Sequence, residues 1–321
     1  MLGYTIKRLL QMVLVLFVVS IIVFLMMSFT GDPVFMVIPI DSTQAEIEQA
    51  RRLLGLDQSL LNQYWIFLSN VLQGDFGRSY VFRQPAMDLI LERLPATIEM
   101  VLVAMAFATV IAIPLGVYAG ANPNRTTSRS IMAASLFGIS LPGFWVGMML
   151  IYFFSVRHQF LPSSGRGETI EVLGLRISIF TADGWSHILL PAVTLALATL
   201  AIILRITRAG MMEVMRQDYI RFARAKGASR THILFAHGLK NALIPVVTIF
   251  GLQLGDLIAF ATITETIFAW PGTGKLLIDS IYRGDRPVIV VYLMLTALIF
   301  VVINFLVDIV YTMIDPRITV K

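Results

Sequence analysis

The chain has 321 residues, 57% of them hydrophobic and only 14% charged, more apolar surface than a soluble domain can hide, so it reads as an integral membrane protein. It contains no cysteine, which excludes disulfides, thiolate metal sites and cysteine nucleophiles. The net charge of +5 gains meaning only when the basic residues are divided between the two sides of a membrane.

Lys7 and Arg8 precede an apolar run from Leu9 to Phe29. This run exceeds the apolar core of a secretory signal, and no small-x-small cleavage site follows, so a retained first span is expected within residues 1–30. A polar region, Thr30 to Pro95, comes next. Thr43 and Glu46 have the spacing of a capping box, with Ile47, Ala50 and Leu54 at helical intervals until Gly55. Leu61, Tyr64, Leu68 and Leu72 predict a second amphipathic helix, closed by Gly74 and Gly77. A third short helix is expected from Pro85 to Leu94. Residues 31–96 therefore read as a small, mostly helical extracytoplasmic excursion.

The second span is expected over Thr97–Ala119 and the third over Ser130–Phe154, separated by a turn at Pro123, Asn124, Arg125 and Arg129. Pro114 and Pro142 fall inside these spans. Freed carbonyls are tolerated in lipid only where neighbouring helices satisfy them, so both prolines are expected to face protein. Gly116 with Gly120, Gly143 with Gly147 and Gly251 with Gly255 form GxxxG pairs, which together favour close helix packing. Arg157–Ser186 is a second polar excursion, in which Leu173, Leu175, Ile177 and Ile179 alternate as in a short hairpin. A fourth span is expected from Ile188, with Pro191 in its first turn, to Ile206. The fifth covers Leu243–Phe260 and the sixth Val288–Met313, giving an all-α fold with six transmembrane helices. Residues 97–313 then form a core of five spans with a loop at 205–242, and 314–321 a short tail.

Six spans place both termini on one side. The termini with the loops at 121–130 and 205–240 hold 14 Lys and Arg against 3 Asp and Glu, whereas the other excursions hold 11 and 14. The positive-inside rule assigns the first set to the cytoplasm.

Little in the chain resembles catalysis. Gly272-Thr273-Gly274-Lys275 lacks the earlier glycine and the following Ser or Thr of a phosphate-binding loop. His158, His187, His232 and His237 lack metal-ligand spacing with carboxylates. Three acids lie in or at the ends of spans. Glu99 is expected in a first helical turn, where the helix dipole favours it. Asp308 lies near Asp315 and Arg317, within reach of the interface. Asp256, close to Gln253 in GLQLGD, lies deepest, and Gln253 and Asp256 are candidates for a translocation pathway because intramembrane acids line water-filled cavities.

The most informative stretch is DYIRFARAKGASRTHILFAHGLKNALIP, residues 218–245. It is basic yet helical in pattern, with Ile220, Ala223 and Gly227 on one face and Arg221 and Arg224 beside them. One reading is a solvated loop that only sets topology; the other is a docking helix for a cytoplasmic partner. The run resembles the cytoplasmic loop of ABC-importer permeases, in the form of the dipeptide/oligopeptide/nickel branch. That branch reads Asp-Tyr-Ile-Arg-Thr-Ala-Arg-Ala-Lys-Gly and then Asn-Ala-Leu-Ile-Pro; Phe222 in place of Thr is the one departure, and bears on local packing. The general Glu-Ala-Ala form fits less well, since only Ala223 and Gly227 match. The pieces GDP at 31–33, LLGLD at 53–57, GDFGRS at 74–79, ERLPAT at 92–97, SLPGFWVGMMLI at 140–151 and NFLVDIVYTMIDPRI at 304–318 are similar to the same branch.

The resemblance implies a type I ABC importer permease fold in a bacterial inner membrane. It further implies a second homologous permease, two cytoplasmic ATPase subunits and an extracytoplasmic peptide-binding protein, with no nucleic acid. No cofactor would be bound by this chain; ATP and Mg would belong to the ATPases. Tyr219, Arg221, Ala223, Arg224, Ala225, Lys226 and Gly227 would form the coupling contact, and Trp270, Pro271 and Gly272 an outer gate or packing element. The cargo would be di- or oligopeptides, with nickel complexes, glutathione or peptide antibiotics as alternatives. A stand-alone ion-coupled carrier would instead need inverted repeats and several intramembrane ionisable groups, and a membrane enzyme a catalytic constellation.

Overall fold

The computed structural model describes residues 2–29, 34, 38, 42–53 and 55–314. GDP at 31–33, Leu54, and the tail with Asp315 and Arg317 lie outside this part, as does the side chain of Asp308. Two compact units can be described separately: Met1–Leu94 with Thr273–Val302, and Pro95–Gly272 with Ile303–Lys321.

In the first unit, α1 covers Leu2–Phe29 and α2 covers Gln44–Leu53. The expected capping box starts α2: the Thr43 amide and hydroxyl donate to Glu46 Oε2 at 2.7 and 2.9 Å, and the Glu46 amide donates to Thr43 Oγ1 at 3.4 Å. Helix α3, Leu60–Leu72, is capped by Ser59 and lies along the C-terminal half of α1. Tyr64 there meets Ser20 by a 2.9 Å hydroxyl pair and packs edge-on to Phe24 at 5.4 Å. Ser20 is more than two turns inside α1, so α3 runs beside an apolar span rather than clear of it. Helix α10, Thr273–Arg283, and the part of α11, Arg286–Ile314, up to Val302 also belong to this unit, with Leu276, Val288, Val291 and Tyr292 packed on Ala86, Leu89 and Ile90.

The short helix expected at 85–94 is not separate. It continues through Pro95 and Pro114 as α4, Ala86–Ala121. One proline removes a single helix bond, and burial of Ile90, Ala96, Met100 and Ala104 holds the helix across it.

In the second unit, α5 is Thr126–Ser140 and α6 is Gly143–Arg157, whose last two turns from Ile151 are π-helical. They meet at a bend of 101°, which divides the third span expected as one helix. Leu141 is extended, at φ −86° and ψ 132°, as a residue before proline prefers, and Gly143 follows; together they break what Pro95 and Pro114 alone do not. Helix α7 is Ala182–Val214, α8 is Asp218–Ala225, and α9 is Arg230–Ile267 with a π segment at Ile233–Leu239. Among the described residues, five helices are long and apolar enough to cross a membrane, and the bent α5–α6 pair makes a sixth passage if counted as one.

Helix α7 sits at the centre of this unit against α5, α6 and α9. It begins at Ala182, capped by Thr181, so Pro191 is buried mid-helix and not in a first turn. The glycine pairs explain the close approach of α4. A Cβ on Gly116 would lie 2.6 Å from Thr207 Cβ, and one on Gly120 2.5 Å from Met211 Cβ. Gly251 likewise has no room for a Cβ beside Val307, whereas Gly143 faces open space. Pro114 and Pro142, expected to face protein, are both exposed on this chain, so neither packs into its own interior. The hairpin forms at Ile170–Val172 (β1) and Leu175–Ile177 (β2), with Val172 opposite Leu175. Leu173 belongs to its turn: Leu173 and Gly174 have φ of 52° and 79°, as a two-residue type I′ turn requires.

Candidate functional site

Three groups of side chains stand out in the second unit: the α7–α9 connection, a polar pair inside the span, and a buried polar knot at the far end of α9.

The connection folds around one side chain. Gln217 caps α8 in extended backbone, and Ile220 then turns wholly inward, against Met211 and Val214 of α7, Val117 of α4, and Ile233 and Ala242 of α9. Ala223 is half-buried on the same side. The face expected to offer small residues to a partner is thus largely turned onto the chain's own core. Phe222, Tyr219, Arg221, Arg224, Ala225 and Lys226 point outward instead. Phe222 is 61% exposed, with Lys226 Nζ 4.5 Å over its ring, so this departure from the branch pattern bears on the outer surface and not on internal packing. Gly227 has φ +82° and open space around it. It ends α8 in the left-handed conformation, with the Ala228 amide returning to the Ala223 carbonyl at 3.2 Å. Two bonds tie the segment down: Asn241 Nδ2 donates to Tyr219 Oη at 3.0 Å, and Arg230 Nη2 to Asn122 Oδ1 at 2.5 Å.

Within α9, Gln253 is buried and donates to Thr199 Oγ1 of α7 at 3.2 Å. Asp256, one turn on, is exposed on this chain. The two residues nominated together thus differ: one joins helices, the other presents a carboxylate outward.

At the far end of α9, Trp270 is fully buried and its indole donates to the Ala96 carbonyl at 2.9 Å. Gly272 lies where a Cβ would strike the Glu265 carboxylate. Glu265, also fully buried, accepts from Thr97 Oγ1 at 2.6 Å. The sequence reading missed Glu265, because TETIFAW sits beyond the apolar run taken as the fifth span; the helix runs on to Ile267. Glu99, two residues beyond Thr97, is differently held. It lies deep in α4, not in a first turn, and its charge is met by Arg166 at 2.7 Å and by the Ser178 and Ile179 amides at 2.6 and 2.7 Å. The Arg166 guanidinium also lies 5.9 Å from the Trp270 ring centre. Among the described residues no group of His, Cys, Asp and Glu could hold a metal ion. Lys275 pairs with Asp279 at 2.7 Å inside α10.

The second unit thus combines apolar spans packed through glycine, a buried polar knot at one end of α9 and a basic surface helix near the other. The chain belongs to the binding-protein-dependent transport system inner membrane component family, whose model matches residues 112–320, while the family's N-terminal component matches 1–101. It is 41% identical to the glutathione transport system permease protein GsiC of Escherichia coli strain K12, and equally to that of Shigella dysenteriae serotype 1, over 100% of each chain. An inward-facing structure of the MetNI methionine ABC transporter matches with a TM-score of 0.57 at 21% identity, covering 71% of this chain and 97% of that one. The chain is therefore a multi-pass permease component of an ABC importer in the inner membrane, not an enzyme, and its fold is that of type I importer permeases.

Proposed function

We propose that the chain carries small peptides inward by alternating access, driven by separate ATPase subunits that seat on α8. Both termini and the α7–α9 connection lie in the cytoplasm in this reading, by the distribution of basic residues. The observation that carries it is the outward face of α8: Tyr219, Arg221, Phe222, Arg224 and Lys226 project from a helix fixed to the core by Ile220. An aromatic side chain ringed by cations suits a groove that is apolar at its centre and acidic at its rim. ATP and Mg bind the ATPases, and this chain binds no cofactor. A second homologous permease completes the pathway and covers the exposed carboxylate of Asp256, and an extracytoplasmic binding protein delivers cargo. Trp270, Pro271 and Gly272 act as an outer packing element around Glu265.

The permeases named for glutathione favour a short peptide with free carboxylates as cargo. Arg221→Glu together with Arg224→Glu tests the coupling. The complex should still reach the membrane but lose ATP-driven uptake of radiolabelled glutathione or dipeptide in vesicles. Unchanged uptake would overturn the role of α8, and transport by this chain alone under an ion gradient would overturn the importer mechanism. Asp256→Asn tests the pathway: unaltered uptake across a peptide panel would remove that residue from it.

A further inference from the structure

The first unit holds a cavity of about 1280 Å³ that the transport cycle described above does not use. Arg51, Arg78, Arg83 and Arg286 line it, with Asp75 the one acid among its described lining residues. Arg78 Nη2 donates to the Arg83 backbone carbonyl at 2.7 Å, which ties the Arg78 guanidinium to the backbone at Arg83; both side chains are exposed. The excess of cations runs against its setting, since the excursions outside the basic loops and termini hold more acids than bases.

The rest of the lining is largely of opposite character. Phe24, Met27 and Phe29 come from the last turns of α1, Ile66 and Phe67 from α3, and Pro287 and Val290 from the first two turns of α11. Both α1 and α11 are apolar spans, so the place where one ends and the other begins lies at a membrane boundary. Helix α3, held to α1 by Tyr64, leaves Leu60, Leu61, Trp65 and Ile66 exposed beside the cavity, an amphipathic surface suited to the bilayer interface.

We propose that this cavity seats the phosphate headgroup of an anionic phospholipid, with its acyl chains along α1 and α3. Guanidinium groups match phosphate oxygens in fork geometry, and the apolar residues of the same lining match the tail. A soluble anion would use the arginines and leave the apolar lining in water.

The test uses the full chain purified in detergent and native mass spectrometry with phosphatidylglycerol or phosphatidylcholine of identical acyl chains. Phosphatidylglycerol should be retained on the order of tenfold better, from the attraction of two exposed arginines to an anionic headgroup. Arg78→Gln with Arg83→Gln should erase that preference. Arg52→Gln, an exposed site outside the cavity, should keep it, as should Arg83→Lys. If the double variant aggregates, Arg83→Gln alone should still weaken the preference. Equal retention of the two lipids, or equal loss in Arg52→Gln, would overturn the proposal. Displacement of the lipid by millimolar inorganic phosphate or glutathione would also overturn it, by showing a site for soluble anions.

Discussion

Replacing Glu99 with Gln should unfasten the 158–181 excursion while leaving the spans in place. The carboxylate accepts four hydrogen bonds: two from Arg166, at 2.7 and 3.1 Å, and one each from the Ser178 and Ile179 amides. Both side chains of the ion pair are nearly buried, at 10% and 4% accessibility, so water does little to screen it. A glutamine of the same size removes the charge and sets amide hydrogens against donors. Removing one partner of a buried ion pair costs roughly 3–5 kcal/mol. At about 1.4 kcal/mol per factor of ten, the low end of that range raises local opening on the order of a hundredfold. The loss falls on one excursion, because the core of α4, α7 and α9 does not depend on Glu99. Limited trypsin digestion reads it directly, since Arg166 and Arg176 lie in the segment that Glu99 holds. Cleavage there should rise by about that factor, given that proteolysis tracks the open population when reclosing is fast. Cleavage within threefold of the parent protein would refute the reasoning.

Other expectations are as specific. Gly116→Leu should separate α4 from α7 and cost roughly 1–3 kcal/mol by overpacking, visible as a lower thermal midpoint in detergent. Asp285→Ala should free the loop at 79–82, because the buried carboxylate accepts from the Ser79 hydroxyl and from the Tyr80 amide at 3.0 Å; each orphaned donor costs about 1–3 kcal/mol, and faster amide exchange at Tyr80 would register it. Gly227→Asn should preserve the end of α8, whereas Gly227→Val should destabilise it by about 1 kcal/mol or more, since only the first tolerates the left-handed backbone; peptide uptake by the complex compares them. The hydrogen bonds from Thr43 hold the Glu46 carboxyl below its ordinary range. A depressed carboxyl stabilises the fold above its unfolded pKa and loses that contribution as pH falls through the folded value, so α2 should fray in acid; Glu46→Gln should abolish this acid loss of amide protection, and Thr43→Ala, which keeps the backbone amide bond, should reduce it only in part.

What could be read from the sequence depended on how local each determinant is. The Thr43–Glu46 box and the glycines at 116 and 120 are written in residues a few positions apart and formed as expected, whereas the hairpin lies at 170–177, with Leu173 in its turn and Ile179 outside it. Prolines were harder to read. Pro95, Pro114, Pro191 and Pro245 stay within helices while Pro142 breaks one, and the difference lies in Gly143 and in the buried contacts that hold the others. The candidate coupling residues lie on the α7–α9 connection, where periodicity could not say which face turns inward. That was decided by Met211, Val214 and Val117, remote in sequence from Ile220. Glu265 escaped because its partners Thr97 and Gly272 come from two other parts of the chain.

The seat of Ile220 has a mechanical consequence. Its side chain is wedged among residues of α4, α7 and α9 at once, in an interior with no slack. A push on α8 of a few tenths of an ångström therefore cannot be absorbed where it lands, and must be shared by three membrane helices together. Ile220→Ala would leave the outer face of α8 unchanged but give that push somewhere to dissipate.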